Sequence, residues 1–197
     1  FEQTLEMNTG YALEGVGNFR VSVMRQKGTP AFVVRYIPTE IPRFDTLNLP
    51  PVLLETVMEK RGLILMVGAT GSGKSTTLTA MLDHRNANQS GHILTLEDPI
   101  EFIFRNKKAI VNQREVGSDT KAFAVARRNA LRQAPDVIFI GEIRDSETME
   151  AAIAFAETGH LCLSTLHSNN ANQALERVLS FFPANRLDEI RLQLSLN

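Results

Sequence analysis

Residues Gly68, Ala69, Thr70, Gly71, Ser72, Gly73, Lys74 and Ser75 form a glycine-rich octapeptide that ends in a lysine and a hydroxyl, with Thr76 following. The string fits G-x-x-x-x-G-K-[ST], a pattern whose chemistry is the cradling of nucleotide phosphates. Glycines let successive backbone N–H groups turn inward around an anion, and the helix that follows adds the positive end of its dipole. Lys74 can then reach the β- and γ-phosphates of ATP, and the Ser75 hydroxyl can ligate Mg²⁺. The plainer alternative is a glycine-rich turn between two elements. At an average glycine usage of ~7%, a chance match to the full pattern is rare.

Three further clusters pair an apolar run with a polar end. Ile93–Leu96 leads into Glu97, Asp98, Pro99, Ile100 and Glu101. Carboxylates around such a turn can hold Mg²⁺ through water and position or deprotonate an attacking water, although an acidic solvated turn has the same composition. Val137–Ile140 leads into Gly141, Glu142, Ile143, Arg144 and Asp145. That is the arrangement of a metal-associated Walker-B carboxylate, with glutamate in the place of the usual aspartate; many strands also end in glycine plus a charge. Leu161–Thr165 leads into Leu166, His167, Ser168 and Asn169. A histidine there can hydrogen-bond a γ-phosphate and report its loss, or serve only structure.

The elements that must carry these groups follow from periodicity. Strands are expected near 63–67, 92–96, 137–140 and 161–165, and helices near 52–59, 75–87, 121–132, 147–157 and 171–180. Apolar β-runs alternating with helices imply an α/β fold with a mainly parallel sheet, which brings the carboxyl ends of its strands to one edge. The amino-terminal part reads differently. Phe19, Val21 and Val23 alternate with Arg20, Ser22 and Met24, a second β-rich run covers 31–36, and Gln26–Pro30 between them is turn chemistry. Four prolines between Ile37 and Pro51 oppose regular helix and suggest a linker. The expected organisation is a partial β-rich domain over 1–36, a linker over 37–51 and an α/β core over 52–197. An apolar-periodic helix at the carboxyl end with no stop signal, and a first residue other than Met, lead us to expect a longer parent protein.

With 197 residues, 43% of them hydrophobic, and a formal net charge of −1, the chain carries no global basic field that would draw it to nucleic acid. The single cysteine, Cys162, excludes an intrachain disulfide and any multi-cysteine zinc site, and its apolar neighbours suggest a small buried hydrophobe. No apolar stretch approaches the ~18 residues of a membrane span. A soluble, cytosolic product is expected.

Together the strings at 68–77, 96–102, 141–145 and 158–169 resemble the four signature boxes of the secretion-superfamily hexameric ATPases, which are RecA-like P-loop enzymes. The resemblance runs from about Gly15 to Asn197 and is nearest to the type IV pilus retraction branch of PilT/PilU type. Val111–Gly117, Arg132–Ile138 and Ala154–His160 lean toward its PilU side. The resemblance implies Lys74 as the Walker-A lysine, Ser75 as metal ligand, Glu101 as the glutamate that activates water, Glu142 as the Walker-B glutamate, and His167 as histidine-box sensor with His160 a second box member. Glu97 and Glu142 would approach Mg²⁺ through water. It also implies that Arg20 and Arg35, which otherwise read as exposed strand arginines, belong to a small PAS-like domain and neutralise phosphate charge. The activity implied is ATP hydrolysis by a hexameric ring at the cytoplasmic face of the inner membrane. Its implied partners are a PilT-like motor and an inner-membrane platform protein, with membrane association only through them. Other readings are an extension or secretion motor of PilB/GspE type, a DNA-handling RecA-like ATPase, and a ring-forming adaptor that binds nucleotide with little turnover.

Overall fold

The computed structural model describes residues 4–14, 16–38 and 40–196. Gly15, Asn197 and the other positions that the expected domain boundaries include beyond these ranges lie outside the described residues. The chain divides into two compact units, Phe1–Ile41 with Glu101–Ile103, and Pro42–Ile100 with Phe104–Asn197.

The smaller unit is an antiparallel sheet of β1 (Glu6–Leu13), β2 (Gly17–Gln26) and β3 (Thr29–Ile37), in that order. β2 and β3 close into a hairpin around Lys27 and Gly28, both with positive φ (48° and 84°), the backbone that matches a two-residue turn to the twist of its strands. Pro30 falls on β3, an edge strand, where a missing N–H is tolerated. The register pairs Phe19 with Tyr36, Val21 with Val34 and Val23 with Phe32, so the expected alternation holds and one face is apolar. Arg20 pairs directly with Arg35 on the other face. β1 was not expected: Glu6–Leu13 lacks a regular apolar alternation and contains Gly10, and its strand character comes from pairing along its whole length with β2.

The larger unit begins with a 3₁₀ turn at Phe44–Thr46 and a short helix α1 (Val52–Thr56), shorter than the expected 52–59. Its five-stranded sheet contains β4 (Gly62–Val67), β5 (Gly91–Glu97), β6 (Ala109–Glu115), β7 (Val137–Ile140) and β8 (Leu161–Leu166). The order is β4-β8-β7-β5-β6 and every pairing is parallel. This is the α/β class expected. β7 and β8 are buried along their full length, which is why β7 reads as an unbroken apolar run and β8 as one interrupted only by Ser164 and Thr165. β6 escaped the sequence reading because it is an edge strand whose second half, Asn112–Glu115, is polar.

The helices are α2 (Lys74–Asn88), α3 (Phe123–Ala130), α4 (Ser146–Glu157), α5 (Ala171–Ser180) and α6 (Leu187–Leu196). α3 ends at Ala130 rather than Arg132, and the chain continues as a 3₁₀ turn before Ala134 takes positive φ. Along the sheet the crossover through α2 runs in one direction, and those through α3 and α4 run in the other. Right-handed connections therefore put α2 on one face and α3 and α4 on the opposite face. The main core agrees: Leu94, Ile138, Ile140, Cys162 and Leu166 of the sheet pack with Ala126, Met149, Phe155, Val178 and Ile190 of α3 to α6. Burial pushes the Cys162 thiol well above its ordinary pKa, as suits a packing residue. α2 is anchored differently. Arg85 donates to the carbonyls of Val57 (2.5 Å) and Glu59 (2.7 Å), and Asn86 is tied to Arg105 and Lys107.

Candidate functional site

β4 is apolar until Val67, and at Gly68 the chain leaves the sheet. Gly68 has φ 155°, and a Cβ there would lie 2.5 Å from the Ser72 hydroxyl, so only glycine fits. Gly73, at φ 89°, is the N-cap of α2 and contributes no side chain to the helix end. The first-turn N–H groups of α2 therefore face a loop in which Ala69, Thr70, Gly71 and Ser72 are exposed. Ser75 and Thr76 sit half-buried in that first turn. Lys74 is only 8% exposed, and its ammonium donates to the carbonyls of Gly68 and Ala69, each at 2.9 Å. The cation is thus held above the loop by two neutral acceptors. An anionic phosphate is a stronger partner for it.

The parallel sheet brings the other polar strand ends to the same edge. Gly141 donates to the Leu96 carbonyl and Ile143 to that of Thr165, which splices the end of β7 between β5 and β8. A Cβ on Gly141 would stand 3.4 Å from the Glu97 Cα. Glu142 is half-buried and meets His167 at 2.9 Å through Oε1, while Oε2 accepts from Arg144 Nε at 2.8 Å. Arg144 also approaches Asp98 at 3.6 Å, and its bond to Glu142 raises its pKa further. Glu142 and His167, picked out separately from the sequence, are therefore direct partners. Asp145 of the same string is a helix cap that accepts from Thr148 N and Oγ1 at the start of α4.

Glu97 is 5% exposed, and its Oε1 accepts from Thr95 Oγ1 (2.6 Å) and Gln113 Nε2 (3.2 Å). Such partners offset the cost of taking a carboxylate out of water. Glu101 is exposed and belongs to the smaller unit, as do half-buried Arg20 and exposed Arg35. His160 lies at the amino end of β8, the edge opposite His167, with Nδ1 3.1 Å from both the Phe155 carbonyl and Thr158 Oγ1. It finishes α4 and stands a full strand away from the glycine-rich loop.

Two features were not legible in the sequence. A cleft of about 500 Å³ opens beside Gly68 and Ala69, walled by His167–Asn169 and by Gln173 and Arg177 of α5. α5 carries no motif, and only its packing brings it there. The placement of Gln113 and Glu115 is the second feature: the string 111–117 carried a resemblance, but the strand β6 that aims these side chains was not recognised.

Among the described residues no group of three His, Cys, Asp or Glu side chains forms a metal cage. Mg²⁺ does not require one, since it is commonly held by a hydroxyl or one or two carboxylates together with waters and substrate phosphates. The donors expected from the sequence, Ser75, Glu97 and Glu142, carry oxygen ligands of that chemical kind.

Residues 11–194 match the family model of the type II/IV secretion system proteins. Over its whole length the chain is 55% identical to the type IV pilus ATPase PilU of Pseudomonas aeruginosa, covering 52% of that protein. It is 46% identical, over 99% of its length, to the type IV pilus retraction ATPase PilT of the same organism, covering 57% of it. A crystal structure of the pilus retraction motor PilT with bound ADP superposes with a TM-score of 0.95 at 51% identity, over 99% of this chain and 57% of that one. The chain spans about half the length of the relatives it matches.

Proposed function

Since the chain belongs to the type II/IV secretion system protein family, we propose that it is the nucleotide-hydrolysing part of a type IV pilus retraction motor, of the PilU-like accessory kind. The observation that carries this reading is the loop at Gly68–Ser75, with a caged Lys74, set on the same sheet edge as the Glu142–His167 pair. In this proposal the loop and Lys74 bind ATP through its phosphates. Ser75, with Glu97 and Glu142 through water, would hold Mg²⁺, whose charge offsets that of the phosphates. Glu101 orients and deprotonates the attacking water, and His167, already hydrogen-bonded to Glu142, senses the γ-phosphate. Arg20 and Arg35 offset charge that develops on the transferred group.

The same proposal assigns 1–36 to a partial PAS-like domain, 37–51 to the linker and 52–197 to the RecA-like core. Six copies would form a ring at the cytoplasmic face of the inner membrane, working with a PilT-like motor and a platform protein. No helix among the described residues is long and apolar enough to cross a membrane, which fits attachment through partners. The 55% identity to PilU favours retraction over an extension or secretion motor. The test is Mg²⁺-dependent ATP turnover of the full-length protein, with its mass in solution and its capture by a PilT-like motor. A hexamer that hydrolyses ATP and retains that partner is expected. A hexamer with tight binding and no turnover would make it an adaptor instead.

A further inference from the structure

The turn after β5 is the least regular part of the nucleotide edge. From Asp98 to Lys108 the chain has no helix or strand of its own, so its backbone groups must find partners elsewhere. Two of them find the same strand. The N–H of Ile100 donates to Glu115 Oε2 at 3.0 Å, and the N–H of Phe104 donates to Gln113 Oε1 at 2.8 Å. Gln113 and Glu115 are two residues apart on β6 and share one face of it. Each is held in turn. Gln113 Nε2 donates to Glu97 Oε1 at 3.2 Å, and Glu115 Oε1 accepts from Ser118 Oγ at 3.2 Å. The backbone N–H of Glu115 is fixed by Asp119 Oδ2 at 2.8 Å, and the Glu97 carbonyl accepts from Val116 N at 2.8 Å.

We propose that Gln113 and Glu115 are positioning residues for hydrolysis, clamping the two ends of the segment that presents Glu101. Neither touches nucleotide in this proposal. They act through the backbone of Ile100 and Phe104, and Gln113 also sets the rotamer of Glu97. The chemistry explains the residue types. The position at 113 needs one group that accepts from an N–H and donates to a carboxylate, which an amide does and a carboxylate cannot. The position at 115 needs only acceptors. The inference rests on reading Glu101 as the group that acts on water, where a misplacement of about 1 Å costs on the order of 10²-fold in rate.

The test uses the full-length protein carrying Gln113→Ala, Gln113→Glu, Glu115→Ala or Glu115→Gln, with Glu101→Gln as reference. We expect Gln113→Ala, Gln113→Glu and Glu115→Ala to lower kcat by roughly ten- to a hundredfold with ATP affinity close to wild type, and Tm close to wild type except in Gln113→Glu, which sets a second carboxylate against buried Glu97. Glu115→Gln, whose amide oxygen still accepts from Ile100, should restore kcat to within about threefold of wild type. Hydrogen exchange should accelerate over 100–104 in Glu115→Ala and stay unchanged over 68–75. Wild-type kcat in Gln113→Glu and Glu115→Ala beside an inactive Glu101→Gln would overturn the clamp alone. Equal losses of affinity and kcat would overturn it too, since they would mark a merely structural role. Wild-type kcat in Glu101→Gln would overturn the reading beneath it, and the clamp with it.

Discussion

The two sheets of this chain handle their apolar side chains in opposite ways. In the parallel sheet β7 and β8 are buried end to end and pack against α3 to α6 in one cluster. In the antiparallel sheet Val23 is the only buried hydrophobic among the described residues, and Phe32, Val34, Tyr11 and Tyr36 are more than half exposed. The first sheet is a finished core that can hold a strained loop, as Gly68 and Gly73 require. The second is held mainly by its ladders and by contacts such as Phe19 with Tyr36, whose ring centres are 5.6 Å apart. The lesson concerns function as much as stability. In the proposed function the larger unit would cradle phosphate with its own backbone, whereas the smaller one would contribute charged side chains, Arg20, Arg35 and Glu101.

This contrast is sharpest if binding belongs to the larger unit alone. Lys74→Ala should abolish measurable ATP binding by calorimetry on the full-length protein, because a phosphate would lose its only charged partner within the loop. Unchanged affinity would remove the glycine-rich loop from the site. Replacing Arg20 or Arg35 by alanine should lower turnover by ~10³-fold while moving nucleotide affinity far less, as expected for groups that act on developing charge. Wild-type turnover in both variants would reduce these arginines to surface residues of a spacer sheet and erase the functional half of the contrast.

A smaller effect decides between the carboxylates of the acidic turn. Glu101→Gln keeps shape and removes the base, so ATP should still bind while turnover falls by ~10²-fold. Glu97 already has Thr95 and Gln113 as partners, so Glu97→Gln should disturb that network and the proposed water-mediated hold on Mg²⁺, with a smaller loss of turnover than Glu101→Gln. A larger loss in Glu97→Gln than in Glu101→Gln would move the chemistry into the larger unit, and the two sheets would no longer divide the labour.

What was legible from residues alone is what depends on short-range pattern. The loop at 68–75 could be read because its glycines and lysine meet a local conformational demand. β4, β5, β7, β8 and α2, α4 and α5 could be read because apolar periodicity is written wherever an element packs on a core. Residues with no local signature needed the tertiary structure. β6 is an edge strand whose polar half is paired on one side only, so no periodicity announces it, and what Gln113 and Glu115 hold became visible only when β5 lay beside it. His160 and His167 stand seven residues apart in one string, yet the extended strand between them puts them at opposite edges of the sheet. Glu142 and His167 are far apart in sequence and 2.9 Å apart in space, because β7 and β8 are parallel neighbours and Glu142 follows β7 alongside the last residues of β8. The sequence by itself determined which chemical groups stand at strand ends. Strand order, which depends on long-range burial and the handedness of the crossovers, decided which of those groups meet.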